Sequence, residues 1–155
     1  MNIRNRMESV AVGFTVAGLG AAGALHALWA SGSTWPRDSS DELADLVVGT
    51  RPFPSPPATW AVTGLVAGGA WLVLAADGRV PAPISVRLTR LGAAGVAGAL
   101  ALRGAGGLVA GATRLIDVTD EFRRWDLRVY SPLCLALAAG AAVAARPTKV
   151  PPSSA

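Results

Sequence analysis

The amino-acid sequence predicts an all-α membrane protein: a four-transmembrane-helix bundle with a short amphipathic helix in its first outer loop. Three observations predict it. Charge is scarce, with 52% hydrophobic and 15% charged residues, where soluble domains average about 25% charged. The charges are bunched, so residues 9–36, 52–76 and 129–145 carry none, and residues 91–113 carry Arg103 alone. The apolar runs also have the length that a bilayer asks of a helix, roughly 20 residues.

The spans follow in order. Residues 1–9, with Arg4 and Arg6, form a short cytoplasmic N-terminus ahead of span one, residues 10–30. A signal peptide would have a shorter apolar core and a small-residue cleavage site. This run is longer and ends in LHALWA, so an uncleaved first span is expected. Residues 33–55 form the first long loop. Within it Ser39 and Glu42 fit a capping box, Leu43, Leu46 and Val47 share one helical face, and Gly49 can end the turn. The proline-rich stretch 52–57 reads as extended, and Ser55-Pro56 suits a helix start. Span two covers 56–76, about 31 Å of helix.

The second loop, 77–90, holds Arg79, Arg87 and Arg90. Span three covers 91–112, and the densely charged loop 113–128 follows. Span four covers 129–145. Pro132 sits near its start, so either the helix begins at Ser131-Pro132 or a longer helix is distorted there. Residues 146–155, rich in proline, are expected to be a disordered cytoplasmic tail.

Loop charge orients the bundle. With the N-terminus inside, the inner segments hold seven basic residues (Arg4, Arg6, Arg79, Arg87, Arg90, Arg146, Lys149) and the outer loops six. Both termini are therefore expected in the cytoplasm of a cell-membrane protein. The net charge of +4 does not point to nucleic acid, because the basic residues flank the apolar runs and form no aromatic-interleaved patch. One histidine and one cysteine leave no room for a zinc site, a CxxC pair or an intrachain disulfide. No cofactor motif is present. The heavy use of Ala, Gly, Val and Arg suggests a GC-rich bacterial genome.

Helix association in lipid leans on small residues. Gly64 and Gly68 form GxxxG in span two. Gly18, Ala22 and His26 lie at i+4 steps in span one, as do Gly95, Ala99, Arg103, Gly107 and Gly111 in span three.

Arg103 is the most informative residue. A charge in mid-membrane costs about 2.5–3.5 kcal/mol on insertion scales and usually faces the bundle interior. In the expected topology it lies about 13 Å below the outer boundary. His26, Trp29, Trp60, Asp126 and Tyr130 approach from the same side, with Trp35 and Trp125 near that face. Two roles are open to this cluster. Arg103 can pair with Asp126, or with Asp117, to fix helix register, with the tryptophans as an interfacial belt. Alternatively, the cluster lines a pocket between spans one, three and four, walled by Trp29 and Trp60. The candidate binding residues are His26, Trp29, Trp60, Arg103, Asp126 and Tyr130.

The segments GALHALWASGSTWP, FPSPPATWAV, LRGAGGLV and EFRRWDLRVYSPLCLAL resemble those of a domain-of-unknown-function family of small four-helix bacterial integral membrane proteins. The likeness covers roughly residues 15–145. It implies the four-span fold and no assigned activity. Its matching residues are His26, Trp29, Trp35, Pro36, Arg103, Trp125, Asp126, Tyr130, Ser131 and Pro132.

The functional expectation is a non-enzymatic protein binding a small ligand, a lipid headgroup or a partner helix through this outer cluster. The alternative is a membrane enzyme acting on a lipophilic substrate, with His26 or Asp126 as acid/base and Arg103 holding an anion. Ser131 and Cys134 have no base at nucleophile spacing. One paired charge and no pair of broken helices argue against a transporter.

Overall fold

The computed structural model describes residues 3–147, so Lys149, Pro151 and Pro152 of the expected tail lie outside it. Among the described residues there is no strand, and the chain forms α1 (Ile3–Ala30), α2 (Ser40–Val47), α3 (Pro56–Ala76), α4 (Val86–Thr113), α5 (Asp120–Trp125), a π turn (Asp126–Tyr130) and α6 (Ser131–Ala144). Helices α1, α3, α4 and the composite Asp120–Ala144 are long and apolar enough to cross a membrane. The protein is an all-α membrane bundle, with α2 as a short amphipathic helix in the loop after α1.

The helices overrun the apolar stretches that announce them. Both α1 and α4 have 28 residues, about 42 Å at 1.5 Å per residue, against a hydrocarbon core of about 30 Å. Their charged first turns therefore reach past the apolar layer. Helix α4 starts at Val86, ahead of residue 91, because the Ser85 hydroxyl accepts the Leu88 N–H at 3.4 Å. Ser55 occupies the cap position of α3 but makes no side-chain cap bond. Pro56 and Pro57 have no N–H to offer in that first turn.

The four long elements run up and down. Helix α1 packs on α3 and α6, and α4 closes the ring against the same two. At the end where α1 begins and α6 finishes, the core consists of Val12, Val73, Ala76, Ala93, Ala97, Ala141 and Ala144. Small side chains bring backbones close. A Cβ on Gly140 would overlap Thr15 Oγ1, and the Thr15 hydroxyl donates to the Leu137 carbonyl at 3.0 Å. The outward faces are large and apolar, with Leu65 76% and Leu102 77% exposed. Such surfaces fit lipid and would aggregate in water.

The small-residue stripes divide in their use. Gly69 meets Val96, Gly92 meets Leu72, Gly104 meets Leu135 and Gly111 meets Leu127. Gly64, Gly68 and Gly95, by contrast, face open space. The strict GxxxG of span two is therefore not an intrachain contact, because α3 turns its neighbouring Gly69 face inward instead.

At the opposite end α2 and α5 form a cap over the bundle. Ser39 accepts the Glu42 N–H at 3.3 Å, as the capping box predicts, and Leu43 and Ala44 are buried. Helix α5 was hidden in the charged loop. Thr119 caps it, Asp120 and Glu121 occupy its first turn, and Arg123 and Arg124 its last, which suits the helix dipole. Thr119 also donates its hydroxyl to the Asp45 carbonyl at 2.6 Å and its N–H to the Gly49 carbonyl at 3.0 Å. Gly49 adopts φ +85°, and a Cβ there would lie 2.7 Å from the Phe122 ring. Glycine therefore lets α2 and α5 meet. Arg51 pairs with Asp45, and its guanidinium holds that carboxyl below the usual carboxylate range. Arg37 and Glu121 link the two loops by a further ion pair.

Candidate binding site

Pro132 shapes the site before any functional side chain is considered. It has no N–H, and its ring crowds the carbonyl four residues earlier, so a regular α-helix cannot pass through unchanged. The chain answers with the π turn, in which the Ser131 N–H bonds to the Asp126 carbonyl, five residues back. Of the two arrangements left open by the sequence, the longer distorted helix is the one present. That wide turn sets the Ser131 side chain against the Asp126 side chain.

Asp126 is almost fully buried, at 5% side-chain exposure, and its carboxylate has two partners. Arg103 Nη2 donates to Oδ1 at 2.6 Å, and the Ser131 hydroxyl donates to Oδ2 at 3.1 Å. Arg103 Nη1 reaches the same hydroxyl at 3.4 Å. Gly107 is the floor of this cluster. A Cβ there would overlap Ser131 Oγ and Arg103 Nη1 and lie 2.6 Å from Asp126 Oδ2. The cost of placing Arg103 in a span is thus offset by a buried, hydrogen-bonded countercharge.

Beside the cluster runs a groove of about 490 Å³ between α4, the α5 segment and the end of α2. Val47, Leu102, Gly106 and Phe122 supply apolar lining, and Arg103, Arg123 and Asp126 supply charge. The Arg103 side chain remains 45% exposed, so it borders the open space while holding Asp126.

The other expected site residues stand elsewhere. His26 donates Nδ1–H to the Ala22 carbonyl of its own helix at 2.8 Å and sits edge-on to Trp29, ring centres 5.2 Å apart. Trp29 donates to the Trp35 carbonyl at 2.7 Å and meets Phe53. Trp60 is exposed on α3. Tyr130 stacks on Trp125 and reaches the Leu46 carbonyl at 3.4 Å, fastening α2 to the bundle. The structure therefore brings Arg103 and Asp126 together at the groove, and His26 and Trp29 together in a separate aromatic group. The groove is not the expected one between spans one, three and four, and neither Trp29 nor Trp60 lines it. Spans one and three stand diagonally across the ring, and the open space lies instead where α5 leans over α4.

Sequence reasoning gave Arg123 no role. Its signal was helical phase: Phe122 and Arg123 precede Asp126 by four and three residues, which puts all three on one helical face.

A family model described as "Protein of unknown function (DUF3995)" matches residues 19–141. The chain belongs to this family. The matched DUF3995 stretch opens in α1, closes in α6, and contains the whole groove with its Arg103–Asp126–Ser131 cluster. No curated protein and no solved structure matches the chain.

Proposed function

We propose that this DUF3995 protein is a non-enzymatic membrane protein that binds a small ligand or lipid headgroup in the groove between α4 and the α5 segment. The observation that carries this reading is the groove itself. Its volume falls in the range of small-molecule sites, roughly 300–1,000 Å³, and it joins apolar lining to a few charged groups. The enzymatic alternative has less support. Asp126 is engaged by Arg103 and Ser131, and His26 is not among the groove's lining residues.

Filling the groove tests the reading. Gly106 lines it, and a Cβ there meets nothing within 4 Å, so Gly106→Leu should fold and occupy the space. Native mass spectrometry of the protein purified in mild detergent should find a retained small molecule on the wild type and none on Gly106→Leu. His26→Gln should leave the retained species unchanged. Equal retention by Gly106→Leu would sink the proposal.

The proposed orientation puts both termini in the cytoplasm and the groove at the outer end. Its support is the charge bias of the loops and the even number of spans. A cytoplasmic reporter fused after Pro147 should be active, and activity of a periplasmic-type reporter at that point would reverse the arrangement.

A further inference from the structure

Charge and polarity are unevenly distributed along the groove. At its shallow end, in the last turn of α5, stands Arg123. Its side chain is 14% exposed. Its Nη2 donates to the Val118 carbonyl at 3.3 Å, whereas its Nε and Nη1 are buried without a hydrogen-bond acceptor. The nearest carboxylate oxygen, on Asp120, lies 3.7 Å from Nε on a side chain 86% exposed, beyond hydrogen-bond reach. Arg103 differs, because the buried Asp126 neutralises it. Among the described residues lining the groove, Asp126 is the only carboxylate against two guanidinium groups, and the Asp120 carboxylate outside the lining gives Arg123 an ion pair on a solvent-exposed side chain without a hydrogen bond. Buried N–H donors without acceptors are rare in folded proteins, and because protein atoms enclose these two, the guanidinium meets an anion by turning into the groove that its side chain borders.

The deep end is apolar. Leu102 lies nine residues before Gly111 on α4, roughly 13 Å further along the helix. It is 77% exposed on the outward face, so the groove leaves the bundle sideways, towards lipid. Gly106, between the two, keeps the floor low. A ligand suited to this gradient carries an oxyanion at one end and a hydrocarbon chain at the other.

Resting on the binding reading above, we propose that the groove takes an anionic amphiphile, its phosphate or carboxylate held by Arg123 at the end of the bundle and its chain laid along α4 past Gly106 to Leu102. Arg123 is the selecting residue. Arg103 adds field strength but keeps Asp126.

Three probes on the full-length detergent-solubilised chain separate the possibilities: dodecyl phosphate, inorganic phosphate and dodecanol, each titrated and read as bound fraction by native mass spectrometry. Wild type should bind dodecyl phosphate at least about tenfold more tightly than either of the others. Arg123→Gln should weaken dodecyl phosphate about 10- to 100-fold, as befits lost charge-assisted bonds, and Arg123→Lys should retain part of the affinity. Arg79→Gln, at the other end of the bundle, should change nothing. Should Arg123→Gln fail to fold, the comparison of probes on wild type and Arg123→Lys still decides. Equal binding of dodecanol and dodecyl phosphate overturns the anion selection while leaving the groove as a binding site. Equal binding of inorganic phosphate overturns the amphiphile. Binding of all probes that ignores Gly106→Leu overturns the groove reading and this inference together.

Discussion

Arg103→Ala should lower the stability of the folded bundle by about 3 kcal/mol, the lower end of what breaking a buried ion pair costs. The lower end applies because Arg103 is half-exposed, whereas Asp126 is nearly fully enclosed. The loss comes mainly from the carboxylate left behind in an apolar helix interface with only Ser131 to satisfy it. Arg79→Ala is the matched control. Its partner Asp77 lies 2.6 Å away, the Arg79 Nη2 also donates to the Ser9 carbonyl and hydroxyl on α1, and such exposed pairs contribute about 1 kcal/mol or less. Denaturant unfolding in mixed micelles reads both variants. The double variant Arg103→Ala/Asp126→Ala should recover much of the loss, since removing both charges removes the orphaned one. Equal destabilisation by Arg103→Ala and Arg79→Ala would show that Arg103 has no structural partner.

Gly107→Ala should be nearly as damaging, by about 1–3 kcal/mol, although it adds a single methyl group. That methyl would occupy the space of Ser131 Oγ and Arg103 Nη1. The cluster would have to open, and Asp126 would lose part of its hydrogen bonding. Gly106→Ala, one residue earlier and facing open space, should be close to neutral. The pair separates a packing requirement from helix propensity, which would favour alanine at both positions. Comparable melting temperatures for the two alanine variants would remove Gly107 from the account.

The bundle was legible because lipid imposes a simple rule: long apolar runs with the charges pushed to their ends. The same rule hid α5. Its Asp120-Glu121-Phe122-Arg123-Arg124 core is densely charged, so a search for apolar runs starts span four about one helix too late. Thr119 as cap and the dipole-matched charges were the available signals. The Arg103–Asp126 pair could be anticipated, since a buried cation needs a countercharge and Asp126 enters from the same end. Its third member could not. Ser131 reaches Asp126 because Pro132 widens the helix into a π turn, and the sequence showed the proline without the choice between a start and a distortion.

The groove's position was illegible for a related reason. Expecting it between spans one, three and four assumed that His26 and Trp29 face the same space as Arg103. In the ring, however, α1 and α4 are diagonal, and Trp29 is drawn to Trp35 and Phe53 instead. Likewise Gly64 and Gly68 match the association motif in spacing, while helix rotation turns Gly69 inward. Rotation about a helix axis follows from packing against neighbours, which spacing alone does not encode.

The most direct test of the binding account is an experimental structure of the protein extracted with its native lipids and determined without added anionic amphiphile. The account predicts elongated density in the groove, its head within hydrogen-bond distance of Arg123 Nε or Nη1, its chain running past Gly106 to Leu102, and the Arg103–Asp126–Ser131 cluster intact beneath it. A groove closed by Phe122 and Ile116, with Arg123 Nε and Nη1 bonded to protein carbonyls and no density beside them, would contradict it.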